Sequence, residues 1–197
     1  MSGCTEHPDW IGNLDGVEVR RRGLCGLRWP ANVNQVRRRG SAKEVKNAVG
    51  ARSTVRAVAG HKTSGEPVYE ELLVDVQGNG LLQMVVTPGL VLGVAAGDVI
   101  SVSDTGVVTV LERGRNLAVH MYAEHHLAEG LTTGVDALGG RVDSRAPRLT
   151  VFTVPVDSGF PRIENLLNAF VEAHPEAEWY YGNVYAEDGI TPLEWWK

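Results

Sequence analysis

Residues Arg148–Val156, R-L-T-V-F-T-V-P-V, constrain the fold more than any other stretch of the chain. β-branched and aromatic side chains alternate along this stretch, one set on one side (Leu149, Val151, Thr153) and one opposite (Thr150, Phe152, Val154). A period of two in such residues is typical of a strand on a largely buried, pleated surface. A predicted hairpin precedes it and an amphipathic helix follows it, so the pattern predicts the central strand of a small sheet.

Composition is that of a soluble globular protein. The 197 residues are 43% hydrophobic and 22% charged. No apolar run approaches the roughly 20 residues of a membrane span. Residues 1–13 lack the basic segment followed by an apolar segment that is typical of a signal peptide, so we expect a cytoplasmic protein without membrane contact. Cys4 and Cys25 agree with a reducing compartment. They lack the further ligands of a structural metal site, and we expect neither a metal nor another cofactor.

Charge divides the chain unevenly. Residues 1–66 carry 12 Lys plus Arg and 6 Asp plus Glu, a balance of +6, whereas residues 67–197 carry 7 and 18, a balance of −11. Such a split predicts a domain boundary near residue 66. The acidic part would repel phosphate, so nucleic-acid binding is expected only through the basic part.

Residues 1–66 are predicted to be a basic, disordered extension. Two arginine triplets dominate it (Arg20, Arg21, Arg22; Arg37, Arg38, Arg39), and apart from a helical turn or two over Ala42–Val49 no apolar period is visible. Gly60–Pro67 is interpreted as a linker. The extension could be a solvated tail, a product of a start codon placed too early, or an arm that binds RNA or an acidic partner. Binding through such an arm would depend steeply on salt and disappear when residues 1–60 are deleted.

Residues 67–115 are predicted to form a small antiparallel β-barrel-like subdomain. Val68–Val76 alternates, Gln77–Gly80 contains the Asn-Gly pair of a tight hairpin, and Leu81–Val86 pairs back. Leu90–Ala96 then crosses to a second hairpin, Val99–Ser103 with Val107–Glu112. Gly-Asp before a Val-rich strand also occurs in small RNA-binding barrels, but the carboxylate of Asp98 more simply accepts backbone N–H groups at the turn.

Residues 116–197 are predicted to be a ferredoxin-like α+β subdomain with an aromatic C-terminal tail. The order is strand Leu117–Ala123, helix Glu124–Leu138, strand Arg141–Asp143, strand Leu149–Val154, a helix capped by Asp157 or Ser158, and strand Glu178–Tyr185. This βαββαβ order places two helices on one face of a four-stranded sheet. If the aliphatic sides face the helices, the open face carries a polar and aromatic set: His120, Tyr122, Thr150, Phe152, Trp179 and Tyr181.

The segment from about Val68 to Trp196 resembles a bacterial family of domains of unknown function, number 4265. The resemblance lies in V-Y-E-E-L-L-V-D-V (68–76), A-A-G-D-V-I-S-V (95–102) and F-V-E-A-H-P-E (170–176) before a Trp/Tyr-rich end. It implies a bacterial, cytoplasmic protein and brings no known activity or catalytic residues.

Candidates for chemistry are few. His120, Glu124 and His125, next to His126, are the densest group of acid–base side chains, but adjacent histidines on a helix lie about 100° apart and rarely share a metal. No nucleophile turn, phosphate loop or dinucleotide motif is present.

Candidate binding residues are aromatic: Tyr122, Phe152, Trp179, Tyr181, Trp195 and Trp196. They could stack on a ligand, or they could pack at the seam between the two subdomains. We therefore expect a non-enzymatic module that binds a protein or small ligand, of toxin-neutralising or regulatory type. The alternatives are a small hydrolase or transferase using His120, Glu124 and His125, or RNA binding through the arginine triplets.

Overall fold

The computed structural model describes residues 11–14, 17–20, 49–186 and 188–197. The fold is α+β with antiparallel sheets, as the sequence predicts. Near the N-terminus, Ile11–Leu14 (β1) and Val17–Arg20 (β2) pair antiparallel. The other five arginines of the two triplets, and almost all of the predicted helical turn at 42–49, lie outside the described residues.

The first large sheet has five strands in sequential order. They are Arg52–His61 (β3), Pro67–Gly78 (β4), Leu81–Met84 (β5), Val99–Val102 (β6) and Val108–Glu112 (β7). The β4–β5 turn has Asn79 at φ 52° and Gly80 at φ 75°. Positive φ at both positions is what an Asn-Gly hairpin provides, so the predicted turn is confirmed.

This sheet curls but does not close into a barrel. Within the described residues its outer strands, β3 and β7, do not pair with each other. The Val58 N–H donates to the Gly106 carbonyl in the β6–β7 turn at 2.8 Å, which links the two ends of the sheet at one point. A register shift between Val58 and Gly60 bends β3 there.

Residues 52–61 belong to this sheet and not to a disordered extension. β3 pairs with β4 from Arg52↔Asp75 to His61↔Pro67, and the predicted linker is the turn between these two strands. The prediction was wrong because the charged residues Arg52 and Arg56 alternate with small or apolar ones (Ser53, Val55, Ala57). Because both arginines add to the positive charge of residues 1–66, the strand was assigned to the basic extension.

The second large sheet has four strands. They are Asn116–Tyr122 (β8), Arg141–Ala146 (β9), Leu149–Pro155 (β10) and Glu178–Tyr181 (β11), in the order β11-β8-β10-β9 with every pair antiparallel. The interior position predicted for the stretch from Leu149 is confirmed. β11 is shorter than predicted and ends at Tyr181.

Helices cover one face of the second sheet. The predicted helix 124–138 is divided into His125–Ala128 (α1) and Thr132–Ala137 (α2) by a 3₁₀ turn, Glu129–Leu131. A Cβ on Gly134 would lie 2.6 Å from Leu166 Cδ1, so this glycine permits close contact with the last helix, Phe160–Ala173 (α3).

The N-terminus of α3 differs from the prediction. Its cap position is Gly159 at φ 80°, and neither Asp157 nor Ser158 caps the helix by its side chain. The Ser158 hydroxyl instead donates to the Leu138 carbonyl at 2.6 Å. Pro161 lies in the first turn, as predicted, where its missing N–H costs nothing.

Each large sheet packs on an apolar cluster of its own. One lies inside the curled sheet and includes Leu72, Val74 and Ile100, and the other lies between the second sheet and its helices and includes Phe152 and Leu167. Each fully buried large side chain contributes roughly 1.5–3 kcal/mol of transfer free energy. In the part of the chain described, no helix is long and apolar enough to cross a membrane.

Deletion from the N-terminus should therefore be tolerated through residue 48 but not through β3. Both clusters consist, among the described residues, of side chains from Val55 onward. We expect deletion of residues 1–48 to leave the melting temperature within a few degrees of that of the full chain. Deletion of residues 1–61 should lower it strongly or cause aggregation, because it removes Ala57 from the core and exposes the edge of β4. Equal melting curves for both truncations would contradict the role of β3.

Candidate functional site

The face of the second sheet that lies away from the helices has a different composition from the one predicted. Val119 of β8 is directly opposite Phe152 of β10 and Tyr181 of β11, so all three point to the helix side. Trp179 opposes Met121 and points the same way. The opposite face carries a different set of side chains: Ala118, His120, Tyr122, Leu149, Val151, Thr153, Glu178 and Tyr180.

Phe152, Thr150, Trp179 and Tyr181 were thus assigned to the wrong face. In β10, Leu149 to Val154 are all buried, so both sides of the strand are apolar enough to face a core. Alternation shows which residues share a side but not which side meets the helices. Only the pairing register with β8 decides that.

A connecting segment, residues 85–98 between β5 and β6, covers this face. The carbonyl of its Pro88 accepts a hydrogen bond from His120 Nε2 at 3.0 Å. A Cβ on Gly89 would lie 3.5 Å from Leu149 and 3.9 Å from Val151, so the backbone rests on both side chains. The Gly93 N–H donates to the Gly182 carbonyl, just beyond β11, at 2.7 Å. The predicted seam between the sheets is filled by the chain itself along this path.

Buried polar groups attach the connecting segment to the second sheet. The Thr87 N–H donates to Asp143 Oδ2 at 2.6 Å, and the Thr153 hydroxyl donates to the same carboxylate oxygen. The Thr87 and Thr153 hydroxyls are also hydrogen-bonded to each other. Arg141 Nε donates to the other carboxylate oxygen of Asp143 at 2.8 Å, which compensates the buried charge.

Two more carboxylates hold the same segment, one from strand β4 of the first sheet and one at the end of the segment itself. Glu70 accepts the N–H groups of Gly89, Leu90 and Val91 at 2.7, 2.9 and 2.8 Å. Asp98 accepts those of Ala95 and Gly114 at 3.0 and 2.7 Å, which confirms its predicted structural role.

Asp98 is fully buried, and burial raises the pKa of its carboxyl. The two backbone N–H groups and Arg113, 3.1 Å away, act in the opposite direction on this pKa. The carboxylate of Asp98 therefore ties the end of the connecting segment to the chain after β7, where Gly114 and Arg113 lie.

His120, the leading catalytic candidate, lies beneath this segment. Its side chain is 1% exposed. Because a carbonyl oxygen only accepts, Nε2 carries the proton in the contact with Pro88. Gly182 passes so close that a Cβ there would lie 2.9 Å from His120 Cε1. His120 is therefore a packed side chain that fixes the connecting segment on β8.

The predicted acid–base group is not assembled. Glu124 is exposed just before α1, and the half-exposed His125 has Glu129, at 3.9 Å, as its carboxylate neighbour. Within the described residues no three His, Cys, Asp or Glu side chains are grouped so that they could hold a metal ion. His120 is buried beneath the connecting segment, whereas Glu124 is exposed and His125 half-exposed.

Tyr180, which the sequence analysis overlooked, joins His120 and Tyr122. The Tyr180 ring meets the His120 ring edge-on at 4.9 Å and stacks with the Tyr122 ring at 5.6 Å, and the two phenol oxygens lie 2.9 Å apart. Side chains alternate in direction along a strand, so Tyr180 lies on the same side of E-W-Y-Y as Glu178, which pairs with Tyr122. This alternation is the sequence signal that could have identified Tyr180. These side chains stabilise one another and the edge of the sheet.

The C-terminal tryptophans pack on the body of the protein. Trp195 Nε1 donates to the Asn183 carbonyl at 2.7 Å, and the Arg113 guanidinium lies 5.4 Å from the Trp195 ring centroid. Trp196 contacts Phe160 at the start of α3, with ring centroids 5.2 Å apart. Both indoles remain half-buried, so each leaves some ring surface to solvent.

Residues 184–186 and 188–193, called the C-terminal hairpin, expose three large apolar side chains. Ile190 is 78% exposed, Tyr185 42% and Leu193 39%. Tyr185 bridges Pro192, and Leu193 and Ala186 donate backbone N–H groups to Val184 and Thr191, each at 2.9 Å.

Asp188 closes the tip of the C-terminal hairpin. It accepts the N–H groups of Ile190 and Thr191 at 2.9 and 2.8 Å and the Thr191 hydroxyl at 2.6 Å. These hydrogen bonds, led by that of the Thr191 side chain, lower the pKa of Asp188. The carboxylate therefore stays ionised at neutral pH beside the exposed Ile190.

Substitution of His120 should affect stability by way of the connecting segment. We expect His120→Ala to lower the free energy of unfolding by about 2–4 kcal/mol, because it leaves a cavity and an unsatisfied Pro88 carbonyl. His120→Gln retains an N–H donor and should lose less. Urea unfolding would measure both, with the exposed His126→Ala as control, expected within about 0.5 kcal/mol of the parent protein. A His120→Ala protein as stable as the parent would contradict this role.

Glu70 offers an independent test of the same segment. Glu70→Ala removes the acceptor of three backbone N–H groups and should cost about 2–4 kcal/mol. Glu71→Ala, at the next position on the opposite face of β4, changes the charge equally and should cost little. Hydrogen exchange would show faster exchange at the amides of Gly89, Leu90 and Val91 in the first variant only. Unchanged protection at these amides would rule out the anchoring role.

Comparisons with known proteins agree with this fold. A crystal structure of a hypothetical protein from Neisseria gonorrhoeae is similar, with 12% sequence identity and a TM-score of 0.56 over 67% of this chain and 94% of that one. At this identity the likeness concerns the fold alone. No curated protein matches. The family described as Domain of unknown function (DUF4265) matches residues 70–179, more than half of the chain, and the protein therefore belongs to that family.

Proposed function

We propose that this protein is a non-catalytic, cytoplasmic module of toxin-neutralising or regulatory type that binds a basic partner protein. The observation that carries the proposal is the C-terminal hairpin, which holds Ile190 78% exposed on a loop closed by its own hydrogen bonds. An apolar side chain exposed on an ordered loop is already arranged for binding. Little conformational entropy is then lost when a partner covers it.

The charge of the molecule supports a basic partner. Residues 67–197 carry 18 Asp plus Glu against 7 Lys plus Arg. In the hairpin itself, the ionised Asp188 stands two residues from Ile190. An acidic surface around an apolar contact accelerates encounter with a positively charged protein and disfavours nucleic acid.

The positions of the candidate catalytic residues favour a binding function over a catalytic one. His120 is packed against the Pro88 carbonyl, whereas Glu124 and His125 lie at the exposed start of α1. A general base has to reach a substrate proton within hydrogen-bond distance, and the buried His120 has the connecting segment between itself and solvent.

A two-part architecture is proposed as the scaffold of this module. The strand order β11-β8-β10-β9 with its two helical crossovers matches a ferredoxin-like βαββαβ unit. The curled five-stranded sheet would be a barrel-like unit attached to it. The hairpin would then extend from the last strand of the ferredoxin-like unit.

Selection of peptides from a random display library on the full-length protein would test the proposed binding. We expect enriched peptides to combine Lys or Arg with an apolar anchor and to lose affinity as salt is raised from 50 to 500 mM. Ile190→Ala should weaken a selected peptide about 10- to 100-fold, because it removes most of a buried side chain from the contact. Leu111→Ala, which truncates a 54% exposed aliphatic side chain on β7, is the matched control and should change affinity less than twofold. Enrichment of acidic peptides, or an equal loss in both variants, would refute the proposal.

A further inference from the structure

Two tyrosines at the edge of the second sheet are in direct contact through their phenol groups. Tyr122 ends β8, and Tyr180 lies on the neighbouring edge strand β11. Tyr180 pairs with His120 and is therefore diagonal to Tyr122, a separation that aromatic side chains can bridge. The ring centroids are 5.6 Å apart, the ring planes differ by 22°, and the phenol oxygens share a hydrogen bond of 2.9 Å. The hydroxyl-bearing ends of the two rings therefore meet.

This arrangement is close to that of a known covalent product of two phenols. Dityrosine forms when two tyrosine rings are joined through the carbon atoms next to their hydroxyl-bearing carbons. In the resulting biphenol the two oxygens remain neighbours and stay hydrogen-bonded to each other. The oxygens of Tyr122 and Tyr180 already have this relation, and their ring planes are nearly parallel. Coupling therefore joins two ring edges that the strands hold together beforehand.

The remaining tyrosines are placed differently. Within the described residues, which include all 5 tyrosines of the chain, no other two tyrosine rings are in contact. Tyr69 lies beneath the guanidinium of Arg56, which is 3.6 Å from its ring centroid, and Tyr185 is on the C-terminal hairpin. Tyr181 points to the helix side of the sheet and Tyr180 to the opposite side. A link between two tyrosines of one molecule is therefore expected at the Tyr122–Tyr180 pair.

We propose that Tyr122 and Tyr180 form an oxidation site, at which a one-electron oxidant of the peroxide-derived radical class joins them as dityrosine. Each phenol loses one electron to one equivalent of oxidant and its hydroxyl proton to water, because both side chains are partly exposed. The two phenoxyl radicals combine to form one carbon–carbon bond between the rings. The hydrogen on each joined carbon then moves to the phenol oxygen as a proton, so the product lacks two hydrogen atoms relative to the unmodified protein.

The cross-link would brace the edge of the second sheet. Strand β11 has 4 residues and, within the described part of the chain, pairs only with β8. A bond between positions 122 and 180 closes a loop that contains α1, α2, β9, β10 and α3. Closing such a loop lowers the conformational entropy of the unfolded chain and so favours the folded state. Thiols do not cleave a carbon–carbon bond, so this brace, unlike a disulfide, would persist in a reducing compartment.

Photo-oxidation of the full-length protein with a ruthenium tris-bipyridyl complex and persulfate, followed by tryptic digestion and mass spectrometry, tests the site. We expect the tryptic peptides 116–141 and 163–197 to be joined, with a mass two hydrogen atoms below their sum. The fraction of single chains that carry this link should not change on tenfold dilution. Tyr122→Phe and Tyr180→Phe should each lower the yield at least tenfold. Tyr185→Phe, the matched control, should change it less than twofold.

Three results would overturn the proposal. A yield that falls on dilution would assign the link to collisions between separate molecules. A yield that persists in Tyr180→Phe would assign it to another tyrosine of the same peptide, Tyr181 or Tyr185. Oxygen addition to other side chains without any joined peptides would show that the pair does not couple. Both phenylalanine variants keep the ring and its packing, so their circular dichroism before oxidation should match that of the parent protein.

The melting temperature gives a second readout, which a modification without structural effect would not move. The oxidised parent protein should melt several degrees above the untreated protein, in the presence of excess thiol as well as in its absence. Tyr122→Phe treated in the same way should show no such rise. An equal shift in both proteins would attribute the effect to oxidation elsewhere in the chain and refute the brace.

Discussion

The structure depends on the packing of residues 85–98 between the two sheets. This segment leaves the five-stranded sheet after β5, crosses β10 and β8, and returns to begin β6. Backbone N–H and C=O groups without hydrogen-bond partners would be costly in such a buried place. Glu70 of β4 and Asp143 of β9 supply acceptors from one strand of each sheet, and Asp98 closes the end of the segment, so the segment joins the sheets through hydrogen bonds and not through apolar contact alone.

The position of this segment also determines what the second sheet can do. A four-stranded sheet with helices on one side has its other face available for a ligand. Here Pro88, Gly89 and Thr87 lie on that face, above His120, Leu149 and Thr153. The exposed apolar side chains of the described chain include Tyr185, Ile190 and Leu193 of the C-terminal hairpin.

Much of the local structure could be predicted from sequence because short-range chemistry determines it. Asn79-Gly80 specifies a tight hairpin, and Pro161 marks the first turn of α3. The alternation of Leu149 to Val154 predicts an interior strand. The candidate site was harder to predict. Phe152, Trp179 and Tyr181 were placed on the wrong face because both faces of the central strands are buried.

Sequence by itself determined the α+β class, most element positions, the separation of charge and the family, since each follows from local pattern or composition. Only the tertiary structure decided which face of the second sheet is covered, that residues 52–61 join a sheet, and that His120 is packed apart from Glu124 and His125. The physical reason is that strand register and the path of a long connection depend on contacts between distant residues. The bond from Thr87 to Asp143 joins groups 56 positions apart, and no local pattern encodes it.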